Sequence, residues 1–122
     1  MPIPVVKAVI RSGRNILYVR ETGENFYKLP GGRVESDNLF GELTREIREE
    51  VGGIRITGTA RFLGRQVERH PLKDAEYDVS YWEFTAEGNP HARGEIEEIR
   101  WVPAADVVWP PYMDGWKRLA KQ

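Results

Sequence analysis

Glu46, Glu49 and Glu50 stand at positions i, i+3 and i+4 of one acidic stretch. On a helix turning by ~100° per residue, that spacing sets three carboxylates along one edge, close enough to share a cation. Carboxylates gathered in this way repel one another, and a hard, oxygen-seeking ion such as Mg²⁺ or Mn²⁺ removes the repulsion. Upstream, Pro30-Gly31-Gly32-Arg33 reads as a tight glycine turn at which the backbone can approach a ligand closely. Mg²⁺ usually keeps several waters and completes its shell with phosphate oxygens, so the pairing of turn and acidic helix reads as a metal-diphosphate site. The ordinary alternative is a solvated helix face on which Arg45 pairs with Glu42 and Glu49. Such a face does not require a glycine turn before it.

Leu29-Pro30-Gly31-Gly32 and Arg45-Glu46-Ile47-Arg48-Glu49-Glu50-Val51-Gly52 together resemble the Nudix hydrolase signature, G-x5-E-x7-R-E-U-x-E-E-x-G-U with U apolar. The R-E-U-x-E-E-x-G half is filled without a mismatch. Counted from Gly32, the pattern asks for a glutamate where Asn38 stands and the loop is one residue short. Counted from Gly31 the spacing fits and Asp37 takes the first glutamate's place. In both registers Gly53 occupies the last apolar position.

The resemblance implies an α/β/α sandwich with a mixed sheet between helices. It also implies a Mg²⁺- or Mn²⁺-dependent pyrophosphohydrolase that cleaves the diphosphate linkage of a nucleoside diphosphate derivative by water attack at phosphorus. Its metal ligands would be Glu46, Glu49 and Glu50 with a backbone carbonyl, here Gly31. The general base would be Glu46 or Glu49, or a glutamate from a late loop; of Glu95, Glu97 and Glu98, Glu98 is preferred, as base or added ligand. A non-catalytic Nudix-fold nucleotide-binding or regulatory module is the alternative, prompted by the short loop and Asn38.

Other side chains have weaker claims. Arg45 is read as orienting a glutamate, with Glu35 a partner across the loop. Arg33 and Arg20 are candidates for phosphate contacts because a guanidinium fork matches phosphate oxygens. Arg61 and Arg65 rank below them. Phe26, Tyr27, Trp82, Trp109 and Tyr112 could stack on a ring, although core packing is the commoner use and is expected for Trp82 and Phe84. His70 and His91 are read as solvated loop residues without a catalytic role.

The elements that must position these groups are readable from periodicity. Leu39, Leu43, Ile47 and Val51 recur every four residues as a core-facing stripe, and Gly52-Gly53 supplies a helix stop. Strands are expected over 3–11, 16–20 and 54–69, over 76–86, and at Ile99-Arg100-Trp101-Val102, with loops at 70–75 and 87–94 and Glu95 to Glu98 in a loop. Ala104 to Val108 reads as a helical turn and Met113 to Lys121 as a terminal helix.

A chain of 122 residues is expected to form one domain, residues 1–122, with a real core. Eighteen basic and nineteen acidic residues leave almost no net charge, and no basic block marks a nucleic-acid or membrane surface. The absence of cysteine excludes disulfides, thiolate zinc sites and a cysteine nucleophile, and it fits a reducing compartment. No stretch has the long apolar core of a signal peptide or a bilayer span, so a soluble cytoplasmic protein is expected. A homodimer is compatible with the sequence, which does not select it.

Overall fold

The structure, a computed structural model, describes residues 2–69, 74–107 and 116–118. Its centre is the strand Ile3–Ser12 (β1), whose β-branched run is buried on both faces. Val6, Ala8 and Ile10 enter one core, and Val5 and Val9 the other. Such a strand needs neighbours on both edges and layers on both faces.

The other strands are β2 (Asn15–Glu21), β3 (Phe26–Lys28), β4 (Gly31–Arg33), β5 (Val51–Arg69), β6 (Glu76–Ala92), β7 (Ile96–Pro103) and β8 (Trp116–Arg118). Hydrogen bonding orders them β5-β6-β1-β2-β3-β8, with β4 also on β1 and β7 also on β2. The β1·β6 pair is parallel and the remaining pairs are antiparallel. A parallel pair needs a long crossover, and the chain between β1 and β6 contains the helix α1 (Leu39–Glu50). This is the expected mixed sheet carrying a helix, an α/β sandwich.

Helix α1 lies on the face formed by Val6, Ala8, Ile10, Leu17, Val19 and Phe84, to which Leu43 and Ile47 contribute their side chains. Leu39 begins the stripe and remains 38% exposed. Asn38 is the N-cap, and its Oδ1 accepts from the Gly41 amide at 3.0 Å. The residue that departs from the motif thus satisfies one of the donors a helix start leaves open.

The structure corrects several expected boundaries. Gly31 and Gly32 lie on a strand instead of a free turn, opposite Lys7 and Val6 of β1. A Cβ at Gly31 would collide with the Val6 carbonyl, so glycine is required there by strand proximity. The helix does not stop on a left-handed glycine: its C-cap is Val51, which is extended and already the first residue of β5. The last carbonyls are met from β6 and the turn after it, where the Arg93 amide donates to Glu50 O at 3.0 Å and its guanidinium to Arg48 O at 3.1 Å. Gly53, at φ +81°, instead sits at a register shift in β5 against Asn89.

Strand β6 continues to Ala92 through most of the expected 87–94 loop, because β5 keeps pairing with it as far as Val51↔Ala92. Glu97 and Glu98 likewise lie on β7, held by β2 through Arg20↔Glu98, instead of in a loop. The expected helical turn is the 3₁₀ segment Ala104–Asp106. The terminal helix expected over 113–121 is not what Trp116–Arg118 form. They pair with β3, whose edge offers open backbone groups. The rest of that stretch, Trp109 to Tyr112, and His70 lie outside the described residues. No helix among the described residues is long and apolar enough to cross a membrane.

Leu43 is 1% exposed and anchors the middle of α1. Leu43→Ala is expected to cost about 2–5 kcal/mol, the range for an unfilled core cavity, read as a lower urea midpoint at unchanged slope.

Candidate active site

With Leu43 and Ile47 turned into the core, the opposite edge of α1 carries the acidic side chains. That edge lies over β4. The Gly31 amide donates to Glu50 Oε1 at 3.1 Å. At Gly32 an added Cβ would lie 2.5–2.7 Å from the Glu46 carboxylate, so a larger residue there would displace that side chain. The structure therefore brings the glycines and two of the three glutamates together, by direct contact of helix and strand.

Arg45 is the cation on the edge itself. It reaches Glu42 at 2.9 Å, Glu49 at 3.1 Å, Glu46 at 3.2 Å and Glu35 at 3.9 Å. Glu49 is 58% exposed and drawn toward this guanidinium, whereas Glu50 is turned toward Gly31. Among the described residues no three acidic or histidine side chains already form a metal cage. The donors are nonetheless hard oxygens, and two of them are partly removed from water. Burial pushes the Glu46 carboxyl above its ordinary value against the opposing pull of Arg45. Burial pushes Glu50 up to about 7, with Lys7 and the Gly31 amide holding it back. Electrostatically, these carboxylates fit a bound cation.

Beside β4 lies a cavity of about 190 Å³. Its wall includes Gly31, Gly32, Arg33, Lys7 and Lys28. Arg33, one of the two arginines proposed for phosphate, is thus placed next to the glycines. Lys7 and Lys28 are buried cations that motif reasoning passed over. A lysine interrupting the apolar run Val5 to Ile10 was the visible signal.

The NUDIX domain family model matches residues 1–121. This chain belongs to the Nudix family. Among solved structures it is similar to a MutT NUDIX hydrolase from Burkholderia pseudomallei, at 21% identity and TM-score 0.74 over 90% of this chain and 89% of that one. It is also similar to a UDP-X diphosphatase, at 25% identity and TM-score 0.68 over 84% of this chain and 51% of that one. A third is a bifunctional NMN adenylyltransferase/ADP ribose pyrophosphatase from Francisella tularensis complexed with AMP and a Mn ion, at 18% identity and TM-score 0.63 over 84% and 34%. The Nudix chain spans about half the length of the UDP-X diphosphatase and a third of the bifunctional protein. No match was found among curated proteins. The family match and these likenesses show a Nudix domain with the Nudix fold.

The remaining candidates of this Nudix domain sit elsewhere. Glu98 on β7 accepts from Tyr27 Oη at 2.5 Å and from Arg20 Nε at 3.3 Å. The Tyr27 bond comes first in holding its carboxyl below the usual range. Arg20 also pairs with Glu97 at 2.6 Å and donates to Glu24 O at 3.2 Å. These contacts tie Arg20 and Glu98 to the β2·β7 pair, and none of them reaches α1. Arg61 pairs with Glu83 at 2.8 Å and Arg65 with Asp78, on the β5·β6 ribbon. Phe26, Tyr27 and Phe84 are buried, and Trp82 packs on Phe62 with ring centroids 5.1 Å apart.

The raised Glu50 value fixes a sign. Its ordinary value is 4.5 and its folded value about 7, so the folded chain holds the extra proton between them. Glu50 therefore favours folding below its ordinary value, and that contribution is lost as pH rises through about 7. Urea titrations of the metal-free protein are expected to show stability falling over this window, and Glu50→Gln to remove that part of the fall.

Proposed function

We propose that this Nudix domain is a divalent-metal-dependent hydrolase that cleaves the diphosphate linkage of a nucleoside diphosphate derivative, with water attacking phosphorus. The observation that carries the reading is the packing of Glu46 and Glu50 onto Gly32 and Gly31, two glycines that also line a cavity. The names of the neighbours, a UDP-X diphosphatase and an ADP ribose pyrophosphatase with bound AMP and Mn ion, support the substrate class and the choice of Mg²⁺ or Mn²⁺.

Glu46, Glu49 and Glu50 would hold the ion, with the Gly31 carbonyl as a further donor. The Gly31 amide fixes one oxygen of Glu50 and leaves the other to bind. Glu49, on the exposed side and paired with Arg45, would have to leave that guanidinium to act as a ligand. A bound divalent ion supplies neutralisation of the diphosphate oxygens and a lowered pKa for a coordinated water. Arg45 orients the glutamates and keeps their mutual repulsion in check. Arg33, on the cavity wall, suits a phosphate oxygen of the substrate. Glu46 or Glu49 would take the water's proton. Tyr27 and Arg20 both bind Glu98 through Oε1, and neither contact brings it to α1, which makes it the weaker choice of base. Arg20 as a phosphate contact would have to leave Glu97 and Glu98. A cytoplasmic location agrees with the lack of cysteine.

The non-catalytic module has lost much of its motive, because Asn38 caps α1 and the glutamate triplet is complete. The test is hydrolysis of a panel of nucleotide sugars, dinucleoside polyphosphates and nucleoside triphosphates with Mg²⁺ or Mn²⁺. Turnover of at least one member is expected, and Glu49→Gln and Glu50→Gln should each lower kcat by about 100-fold or more with unchanged far-UV circular dichroism. Undiminished turnover by both variants, or affinity without turnover across the panel, rejects the assignment.

A further inference from the structure

The glycines that receive Glu46 and Glu50 also line the cavity of about 190 Å³, so whatever lies along β4 has access to it. Its apolar lining is Val5, Val79 and Tyr77, which belong to the core that α1 does not enter. Val5 and Val79 are partners across β1·β6, which makes that lining continuous. The volume is below the ~300 Å³ at which sites for whole ligands begin, so it suits one ring-sized group. The acidic lining comes from the end of β2 and the turn into β3, as Glu21 and Glu24, with Lys28 of β3 between them. Lys28 is buried, and its Nζ stands 3.3 Å from Glu21 Oε1 and 3.3 Å from each oxygen of Glu24. One ammonium between two carboxylates leaves one acid in excess. Among the described residues Lys28 is the only side-chain partner of Glu21, whose side chain is 33% exposed and keeps lone pairs open to the cavity. Glu24 Oε1 is closed to water and accepts no hydrogen bond among those residues. Acceptors with unused capacity beside a buried ammonium point to a partner that the chain does not supply.

We propose that Glu21, Glu24 and Lys28 form a specificity subsite that reads a vicinal diol on a sugar ring of the substrate. Each hydroxyl of a diol both donates and accepts, so the pair can give its protons to the carboxylates while accepting from the ammonium. The C–H face of the same ring suits the apolar lining of Val5, Val79 and Tyr77. A further phosphate in this place would meet two carboxylates and be repelled. The proposal rests on the reading of β4 and α1 as the diphosphate site, and it adds what the substrate of that site must carry. The diol has two sources, the ribose of the nucleoside and a sugar on the far phosphate. Their shared chemistry is what the cluster recognises.

Three probes on the whole chain test this: UDP-glucose, its 2′,3′-dideoxyuridine analogue, and the methyl ester of UDP, which has no glucose. With Mg²⁺ present, KM is measured for each probe that is hydrolysed, and Kd by calorimetry for each that is not. Glu21→Ala is expected to raise this constant at least about tenfold for UDP-glucose, the worth of a hydrogen bond to a charged group. On the analogue that lacks the diol being read, wild type and Glu21→Ala should agree within about twofold. Agreement on the dideoxyuridine analogue assigns the ribose, and agreement on the methyl ester assigns the glycosyl group. Glu21→Gln, which keeps an acceptor and loses the charge, should fall between, and it decides by the same comparison if Glu21→Ala does not fold. No loss on UDP-glucose, or equal losses on all three probes, overturns the subsite, because an acid that only holds Lys28 in place does not distinguish the probes. Diol-dependent binding without turnover keeps the subsite and rejects the hydrolase, whereas turnover with equal losses does the reverse. A wild type that neither binds nor hydrolyses any of the three rejects the subsite.

Discussion

A hydrogen bond from the amide of Gly31 to the carboxylate of Glu50 fixes how the helix meets the sheet in this protein. For a carboxylate in the last turn of α1 to reach a strand amide, the helix must cross β4 with almost nothing between them. That demands glycine on the strand, where side chains would strike the Val6 carbonyl or the Glu46 carboxylate. It also demands that the other side of α1 be held firmly, which Leu43 and Ile47 do by entering the core with β1. Acidic edge, glycine strand and apolar stripe are parts of one steric requirement.

The chemistry follows from the same closeness. The strand beneath them removes Glu46 and Glu50 partly from water, and a carboxylate so desolvated seeks compensation. Arg45 provides some for Glu46 at the exposed side, and the Gly31 amide provides some for Glu50. A protein selected only for stability would gain by replacing such carboxylates with apolar groups. Here they stay, Glu50 on the Gly31 amide and Glu46 beside Arg45, in the arrangement on which the proposed cation site rests.

How far the sequence disclosed this varied with the kind of signal. The i, i+3, i+4 spacing of the glutamates and the four-residue recurrence of Leu43 and Ile47 are local, and both survived into the structure because a helix maps spacing directly onto faces. The glycines were recognised as a close approach, but their partner was invisible: β1 lies more than twenty residues earlier, and nothing local says that Gly31 pairs with Lys7. The same limit explains the misplaced boundaries. Residues 87 to 92 and Glu97 to Glu98 have loop-like composition, yet they are strand because β5 and β2 hold them in register. Trp116–Arg118 likewise joins β3 despite a helical pattern. Asn38 was legible as a departure from a motif but not as a cap, since capping depends on where the helix starts. Lys7 was plain in the sequence as a charge in an apolar run, but its burial with Nζ on the Leu29 carbonyl depends on a strand that the local pattern does not reveal.

The ribbon formed by β5 and β6 has a consequence for how copies of the chain behave in a crowded solution. β5 ends the described sheet, so one side of a nineteen-residue strand has no neighbour in the sheet. Long flat margins of this sort recruit other strands and seed aggregates. Here the ladder slips three times, between Gly52 and Ile54, Thr57 and Arg61, and Phe62 and Gly64, and each slip twists the margin out of plane. Arg55, Arg61, Arg65 and Arg69 line it with side chains anchored to acids. The irregularities that make the strand hard to read thereby deny a passing chain the straight template it would need to add itself.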